Sequence, residues 1–242
     1  MHRWLSGDAT LHAPVRLCCF PYAGGSESVF RTWQPRFGDV AQVCAFRLPG
    51  RGLRSREPPF TDLPALVRAA SDELALLVEQ PFAFFGHSMG ALIAFELARQ
   101  LRRDYRVEPV HLFVSGACSP DSVQFLHDLD PAAIRETLRT LDGTPREIID
   151  HRRFMDSLVP IVRADFTLCV SYKYVEDRPF DCPITAFGGL GDVGISKDCL
   201  MKWDRQTTSR FDAHFLEGNH FFLHSSEEAL KRTIARELCQ SR

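Results

Sequence analysis

Nowhere in the chain do about 18 apolar residues run together, so no segment reads as a membrane-spanning helix. The stretch from Met1 to Phe20 carries a basic residue but lacks the continuous apolar centre of a secretory signal. Together these absences lead to the expectation of a soluble, cytoplasmic protein that engages no membrane. Charge of one sign is lacking as well. The 29 Lys and Arg residues are spread among 31 Asp and Glu, for a net charge of −2, which gives no footprint for nucleic acid. No internal repeat and no Gly/Ser-rich or Pro-rich linker breaks the 242 residues, so a single domain over 1–242 is expected, with a monomer as the simplest state. The small-residue turn Ala23-Gly24-Gly25 matches neither nucleotide signature, G-x-G-x-x-G or G-x-x-x-x-G-K-[ST], so a nucleotide cradle is not expected there. His220 and His224 stand four residues apart, as in a helical metal site, but Phe-Phe-Leu between them lacks the glutamate of H-E-x-x-H. No cofactor and no metal is therefore expected. Eight cysteines occur without a C-x-x-C pair, and Cys18, Cys19, Cys44 and Cys169 lie in apolar stretches, which favours reduced, mostly buried thiols.

What is present is the composition of an ordinary globular chain, 45% hydrophobic and 25% charged, long enough to bury a substantial core. Short β-branched and aromatic runs bounded by turn residues predict strands at Val15–Phe20, Val43–Phe46, Phe82–Phe85, His111–Ser115, Ile184–Phe187 and His214–Leu216. Mostly apolar strands of this length belong to a sheet covered on both faces. Helical periodicity lies between them at Leu63–Val78, Ala91–Leu101 and Glu227–Leu238. Alternating strand and helix predicts an α/β fold, a doubly wound and mostly parallel central sheet with helices on both faces. One long interval, from Ser115 to Ile184, breaks the alternation. Its sequence predicts an insertion of two or three helices at about 120–180, with Asp130 as N-cap and Pro131 in the first turn. An insertion at that place in an open sheet overlies the carboxyl edge, where ligands bind, and is expected to act as a lid.

Gly86-His87-Ser88-Met89-Gly90 fits G-x-S-x-G, with a strand before it and a helix after it, the setting of a nucleophile elbow. Such a turn lifts the serine Oγ clear of the sheet, and its flanking glycines avoid collisions with neighbouring backbone. A serine hydroxyl is a weak nucleophile until a base takes its proton, so a histidine is required. His220 follows the last predicted strand, where the chain order Ser, acid, His of an α/β-hydrolase places it, and His224 is its rival. The acid should follow an earlier strand. Asp192 comes just after Ile184–Phe187 and is favoured; Asp121, one strand earlier, is the competitor. Two N–H donors must face the developing oxyanion. Met89 N–H is one, and Ala23 N–H, in the small-residue turn Ala23-Gly24-Gly25 after the first strand, is the other.

Six stretches in this order, CFPYAGGSESVF, FRLPGRGLR, FFGHSMGALIAFELA, VPIVRADFTLCVSYKY, AFGGLGDVGISKDCLMKW and FLEGNHFFL, together resemble the type II editing thioesterases of polyketide and nonribosomal peptide synthesis. They also resemble the related medium-chain acyl thioesterases. The resemblance implies an α/β-hydrolase that cleaves acyl groups from the phosphopantetheine arm of carrier proteins, its partners. It gives Ser88, Asp192 and His220 the catalytic roles, Ala23 and Met89 the oxyanion hole, and the insertion the part of a flexible lid. Two positions depart from the pattern, Val193 where the family often has proline and Asn219 where it often has glycine. A small-molecule carboxylesterase, or an acyltransferase resolving the acyl-enzyme with an alcohol or amine, is the alternative enzyme. A non-catalytic hydrolase-like binding module should have lost a triad member, and none is missing. Arg47, Arg51, Arg54 and Arg56 form a basic cluster after the second predicted strand, expected to complement an acidic carrier.

Overall fold

The computed structural model describes residues 3–7, 13–74, 80–122, 129–140 and 151–240. Its strands are β1 (Val15–Phe20), β2 (Ala41–Ala45), β3 (Phe82–His87), β4 (His111–Ser115), β5 (Ile184–Gly189) and β6 (Phe211–Leu216). They form one parallel sheet in the order β2-β1-β3-β4-β5-β6. The helices are α1 (Gln34–Phe37), α2 (Leu63–Leu74), α3 (Met89–Tyr105), α4 (Pro131–Thr140), α5 (Arg152–Val170), α6 (Lys197–Met201), α7 (Phe222–Ser225) and α8 (Glu227–Gln240).

The two-residue repeat of each strand sorts its side chains to opposite faces. Cys18, Phe20, Phe82, Phe84, Leu112, Val114, Ile184 and Ala186 pack with Leu66, Val67 and Ala70 of α2 and with Leu92, Phe95 and Leu101 of α3. On the other face Leu17, Cys19, Ala83, Phe85, Phe113 and Phe187 meet Phe37 of α1 and Leu230, Ile234 and Leu238 of α8. The sheet is thus covered on both sides, as its unbroken apolar strands require. The expected Leu63–Val78 helix is α2, and residues 75–79 lie outside the described ones. The α3 helix runs beyond the expected Ala91–Leu101 at both ends. Arg102, near its C-terminus, is polar in sequence yet buried, stacked over the Phe180 ring at 4.7 Å.

The connectivity decides where a ligand can sit. From β1 the chain moves outward to β2, then crosses back past β1 to β3 and continues through β4 and β5 to β6. The direction of winding therefore reverses between β1 and β3, and a crevice opens there at the carboxyl ends of the strands. The turn after β1 holds Ala23-Gly24-Gly25, and the turn after β3 holds Ser88. Both sit at this switch point.

Between β4 and β5 the chain inserts α4 and α5. Pro131 begins α4, and Asp130 caps it by accepting from the Ala132 N–H at 2.8 Å, as the sequence predicted. The two helices share a small core of Ile134, Leu138, Met155, Val159, Val162 and Phe166, against which Ala23 also packs. Leu168 and Cys169, at the other end of α5, belong instead to the main core. One helix therefore joins the insertion to the body of the protein.

Two sequence expectations are corrected. Cys18, Cys19, Cys44, Cys169 and Cys182 are buried free thiols, but Cys118 and Cys199 form a disulfide with a Cα separation of 4.9 Å. The adjacent strands β4 and β5 deliver their following loops to the same edge, so residues 81 apart in sequence meet, and no local spacing could have shown it. The arginine cluster is not a surface patch either. Arg47, Arg51 and Arg54 are buried, and only Arg56 of the four is exposed. Arg47 donates to the Leu5 carbonyl at 3.1 Å, Arg54 binds Glu57 and stacks over Trp4, and Arg51 is paired with Asp165 of α5. Their partners absorb the charge that the sequence displays as free.

Candidate active site

Ser88 closes β3 and opens α3 with φ 55° and ψ −119°, a conformation that non-glycine residues seldom adopt. Its N–H is held by the Ser115 carbonyl at 2.7 Å. The strain is imposed by close backbone contact on both sides. A Cβ on Gly86 would lie 2.2 Å from the Gly90 carbonyl oxygen, and one on Gly90 would lie 2.1 Å from that of Phe20. Gly90→Ala is accordingly expected to destabilise the fold by about 1–3 kcal/mol, the range for overpacking a close contact. Chemical denaturation checks it, and an unchanged midpoint would show that the α3 terminus has room to move.

The loops after β5 and β6 bring the remaining groups to the elbow. Gly191 N–H donates to the Gly218 carbonyl at 2.8 Å, which ties the two loops together. A Cβ on Gly189 would stand 2.6 Å from the Asn219 carbonyl oxygen, so glycine permits that approach. His220 Nε2 lies 3.0 Å from Ser88 Oγ, and His220 Nδ1 lies 2.7 Å from Asp192 Oδ2. The other carboxylate oxygen, Asp192 Oδ1, accepts from the N–H groups of Gly194 at 2.9 Å and Ile195 at 3.2 Å. The Asp192 side chain is 1% exposed and that of His220 is 13% exposed, so the carboxylate is dry while the imidazole edge reaches the crevice. A carboxylate can only accept, which places the proton of His220 on Nδ1 and leaves Nε2 to accept from the serine hydroxyl.

The two departures from the family pattern are accommodated locally. Asn219 Oδ1 accepts the Phe221 N–H at 2.9 Å, and Asn219 is not among the described residues with positive φ, so glycine is not required there. Val193 is 95% exposed and points away from the packing of the loop. His87, the variable residue of G-x-S-x-G, supports the site from below, a function that its motif position did not suggest. Its Nε2 lies 2.9 Å from the His220 carbonyl oxygen and must donate to it, so Nδ1 accepts from Ser115 Oγ, also at 2.9 Å. Burial, and then the neighbouring His220, push the His87 pKa well below its ordinary value. A neutral, tautomer-fixed ring therefore holds the backbone of the catalytic-histidine candidate.

Met89 N–H and Ala23 N–H lie on backbone segments in direct contact, because the first turn of α3 presses on Phe20 and Pro21. Among the described residues neither amide is taken by a protein acceptor. The rivals go elsewhere. His224 Nε2 meets the Tyr22 hydroxyl at 3.0 Å, and no group of metal-ligating side chains occurs among the described residues. Asp121 contacts Ser122 and, at 3.7 Å, Arg205, both away from His220.

A sequence profile of the thioesterase domain matches residues 15–238. Gramicidin S biosynthesis protein GrsT of Aneurinibacillus migulanus is 42% identical over 98% of this chain and 94% of its own. The prodiginine-pathway thioesterase RedJ of Streptomyces coelicolor superposes with a TM-score of 0.87 at 41% identity, over 93% of this chain and 86% of RedJ. The type II thioesterase BorB from the borrelidin biosynthetic cluster gives a TM-score of 0.88 at 30% identity, over 97% of both chains. With an elbow serine in reach of a histidine and a buried aspartate, on a sheet of this topology, the chain belongs to the thioesterase domain family of α/β-hydrolases, among the type II thioesterases of nonribosomal peptide and polyketide pathways.

Proposed function

We propose that the chain hydrolyses acyl thioesters borne on the phosphopantetheine arm of synthase carrier proteins, freeing carriers blocked by unwanted acyl groups, through an acyl-enzyme on Ser88. The observation that supports this most directly is the continuous contact from Ser88 Oγ through His220 to Asp192, at 3.0 and 2.7 Å. In the first half-reaction His220 Nε2 takes the Ser88 proton as Oγ attacks the thioester carbonyl. Asp192 stabilises the imidazolium so formed and keeps the ring oriented. The oxyanion lies against Met89 N–H and Ala23 N–H, each donor contributing about 3 kcal/mol to lowering the barrier. Collapse breaks the C–S bond, and His220 returns the proton to the departing thiol. A thiol of pKa about 8.5 leaves far more readily than an alkoxide, so protonation of the leaving group is the lighter task here. In the second half-reaction His220 deprotonates water, which attacks the acyl-serine, and the carboxylic acid leaves with Ser88 restored.

The insertion of α4 and α5 serves as a lid over the crevice of this single domain. It packs against Ala23, the residue that offers the second oxyanion donor, and so lies where an acyl chain must enter. Intact-protein mass spectrometry of carrier proteins loaded with acyl chains of graded length tests the reading. The expected result is loss of the acyl mass with release of the free acid. Transfer of the acyl group to an added alcohol or amine in preference to water, or an unchanged acyl carrier, would overturn it.

A further inference from the structure

The buried pair Arg51 and Asp165 has no part in the relay just described, yet it touches the oxyanion turn at two points. Asp165, on α5, is 2% exposed, and Arg51 is 6% exposed. Arg51 Nη1 and Nη2 lie 2.5 and 2.6 Å from Asp165 Oδ2 and Oδ1, a two-point contact between residues 114 apart. Asp165 Oδ2 also accepts the Gly24 N–H at 2.7 Å, and Arg51 Nη1 donates to the Gly25 carbonyl at 3.3 Å. Among the described residues Arg51 Nε has no hydrogen-bond partner. A buried ion pair generally does no more for stability than apolar side chains of the same volume. Its local contacts point to another use.

The turn from Tyr22 to Gly25 is short and rich in glycine, with Gly24 at φ +80°, so backbone sterics alone leave it several conformations. Three hydrogen bonds remove that freedom. Gly25 N–H donates to the Tyr22 carbonyl at 2.9 Å. Because the peptide between Tyr22 and Ala23 is planar and trans, fixing its carbonyl fixes the direction of Ala23 N–H. Gly25 in turn is held by Arg51 through its carbonyl, and Gly24 by Asp165 through its N–H. From the same helix, one turn before Asp165, Val162 Cγ2 stands 2.9 Å from where a Gly24 Cβ would be, so α5 closes over the turn.

We propose that Arg51 and Asp165 form a positioning pair that aims Ala23 N–H at the oxyanion, and that because Asp165 rides on α5 the oxyanion hole is complete only while this helix is seated. The inference rests on the reading of Ala23 as an oxyanion donor. Withdrawal of α5 at Asp165 takes the acceptor from Gly24 N–H and leaves the Arg51 charge buried without its counter-ion. Seating of the insertion and competence of the hole are then one event.

Removing either partner alone strands a buried charge and can unfold the chain. The test therefore uses two neutral pairs. Arg51→Met with Asp165→Leu removes the charges and the Gly24 anchor; Arg51→Met with Asp165→Asn removes the charges but keeps an acceptor for Gly24 N–H. The first is expected to lower kcat about a hundredfold, as loss of one oxyanion donor does, with KM within twofold of wild type. Its affinity for a trifluoromethyl ketone analogue of the acyl group, which forms the tetrahedral adduct on Ser88, should fall by a similar factor. The second should recover to within about tenfold of wild type. Hydrogen exchange at the Gly24 amide, read by NMR without turnover, should quicken in the first pair and stay slow in the second. Full activity of the first pair, equal losses in both, or a loss confined to KM would each overturn the proposal. Should wild-type protein show slow Gly24 exchange yet fail to label with a fluorophosphonate, the thioesterase reading fails while the anchoring of the turn stands.

Discussion

Ser88→Ala is expected to lower thioester turnover by roughly 10⁴- to 10⁶-fold while leaving the fold in place, in line with what removal of a triad nucleophile costs. Among the described residues, Ser88 Oγ is the one hydroxyl in hydrogen-bond contact with His220 Nε2, so no neighbouring side chain can take over the attack. The backbone of the elbow is held by the Ser88 N–H contact with Ser115 and by the tight glycine contacts, all of which survive the loss of Oγ. Thermal unfolding should therefore shift by only a few degrees. What activity remains should come from the proposed oxyanion donors and from substrate positioning. A fluorophosphonate, which mimics the tetrahedral intermediate once it reacts, should label wild type at one site and the variant at none. Labelling of the variant at full stoichiometry would show that the nucleophile lies elsewhere.

The parts of this protein that could be read in the sequence are those written in local pattern. β1 and β4 have the bounds that apolar runs between turn residues predicted. β6 begins at Phe211, three residues before the expected His214, because an edge strand is half solvated and Asp212 hides the apolar alternation. Similarly, α3 outruns its apolar pattern at the C-terminal end, where Arg102 buries its stem and spends its guanidinium group on the carbonyls of Arg178 and Pro179. The meeting of Ser88, Asp192 and His220 was legible because a nucleophile elbow calls for a late histidine and an acid after a preceding strand. His87 could not, since a motif that allows any residue at its second position says nothing of a ring that supports the His220 carbonyl. Arg51 and Asp165 were invisible for a different reason. Charge in a sequence is read as solvated until a partner is known, and this partner is a residue of α5, 114 positions away.

Exchanging Asp192 for asparagine should be nearly as damaging as losing the serine, on the order of 10⁴-fold in kcat, although it alters the shape of the side chain hardly at all. The cause is the direction of two hydrogen bonds. Asp192 Oδ1 already accepts from Gly194 N–H and Ile195 N–H, so the asparagine carbonyl must take that place and its amide group must turn towards His220. At 2.7 Å from Nδ1 the amide is a donor, and the ring answers by making Nδ1 its acceptor. The imidazole proton then sits on Nε2, facing Ser88 Oγ, where a base is needed. Melting temperature should change little, since every backbone contact of the loop is kept, and KM should stay close to wild type because no substrate contact is lost. Asp121→Asn is the control. Among the described residues its carboxylate meets Ser122 and, loosely, Arg205, whose side chain is 62% exposed, and a pair of that kind contributes at most about 1 kcal/mol. Steady-state kinetics on an acyl thioester of N-acetylcysteamine should show the Asp121 variant within about twofold of wild type. A dead Asp121 variant beside an active Asp192 variant would move the acid to the loop after β4, and Asp192→Asn retaining more than about a hundredth of kcat would mean that the orientation of His220 does not depend on this carboxylate.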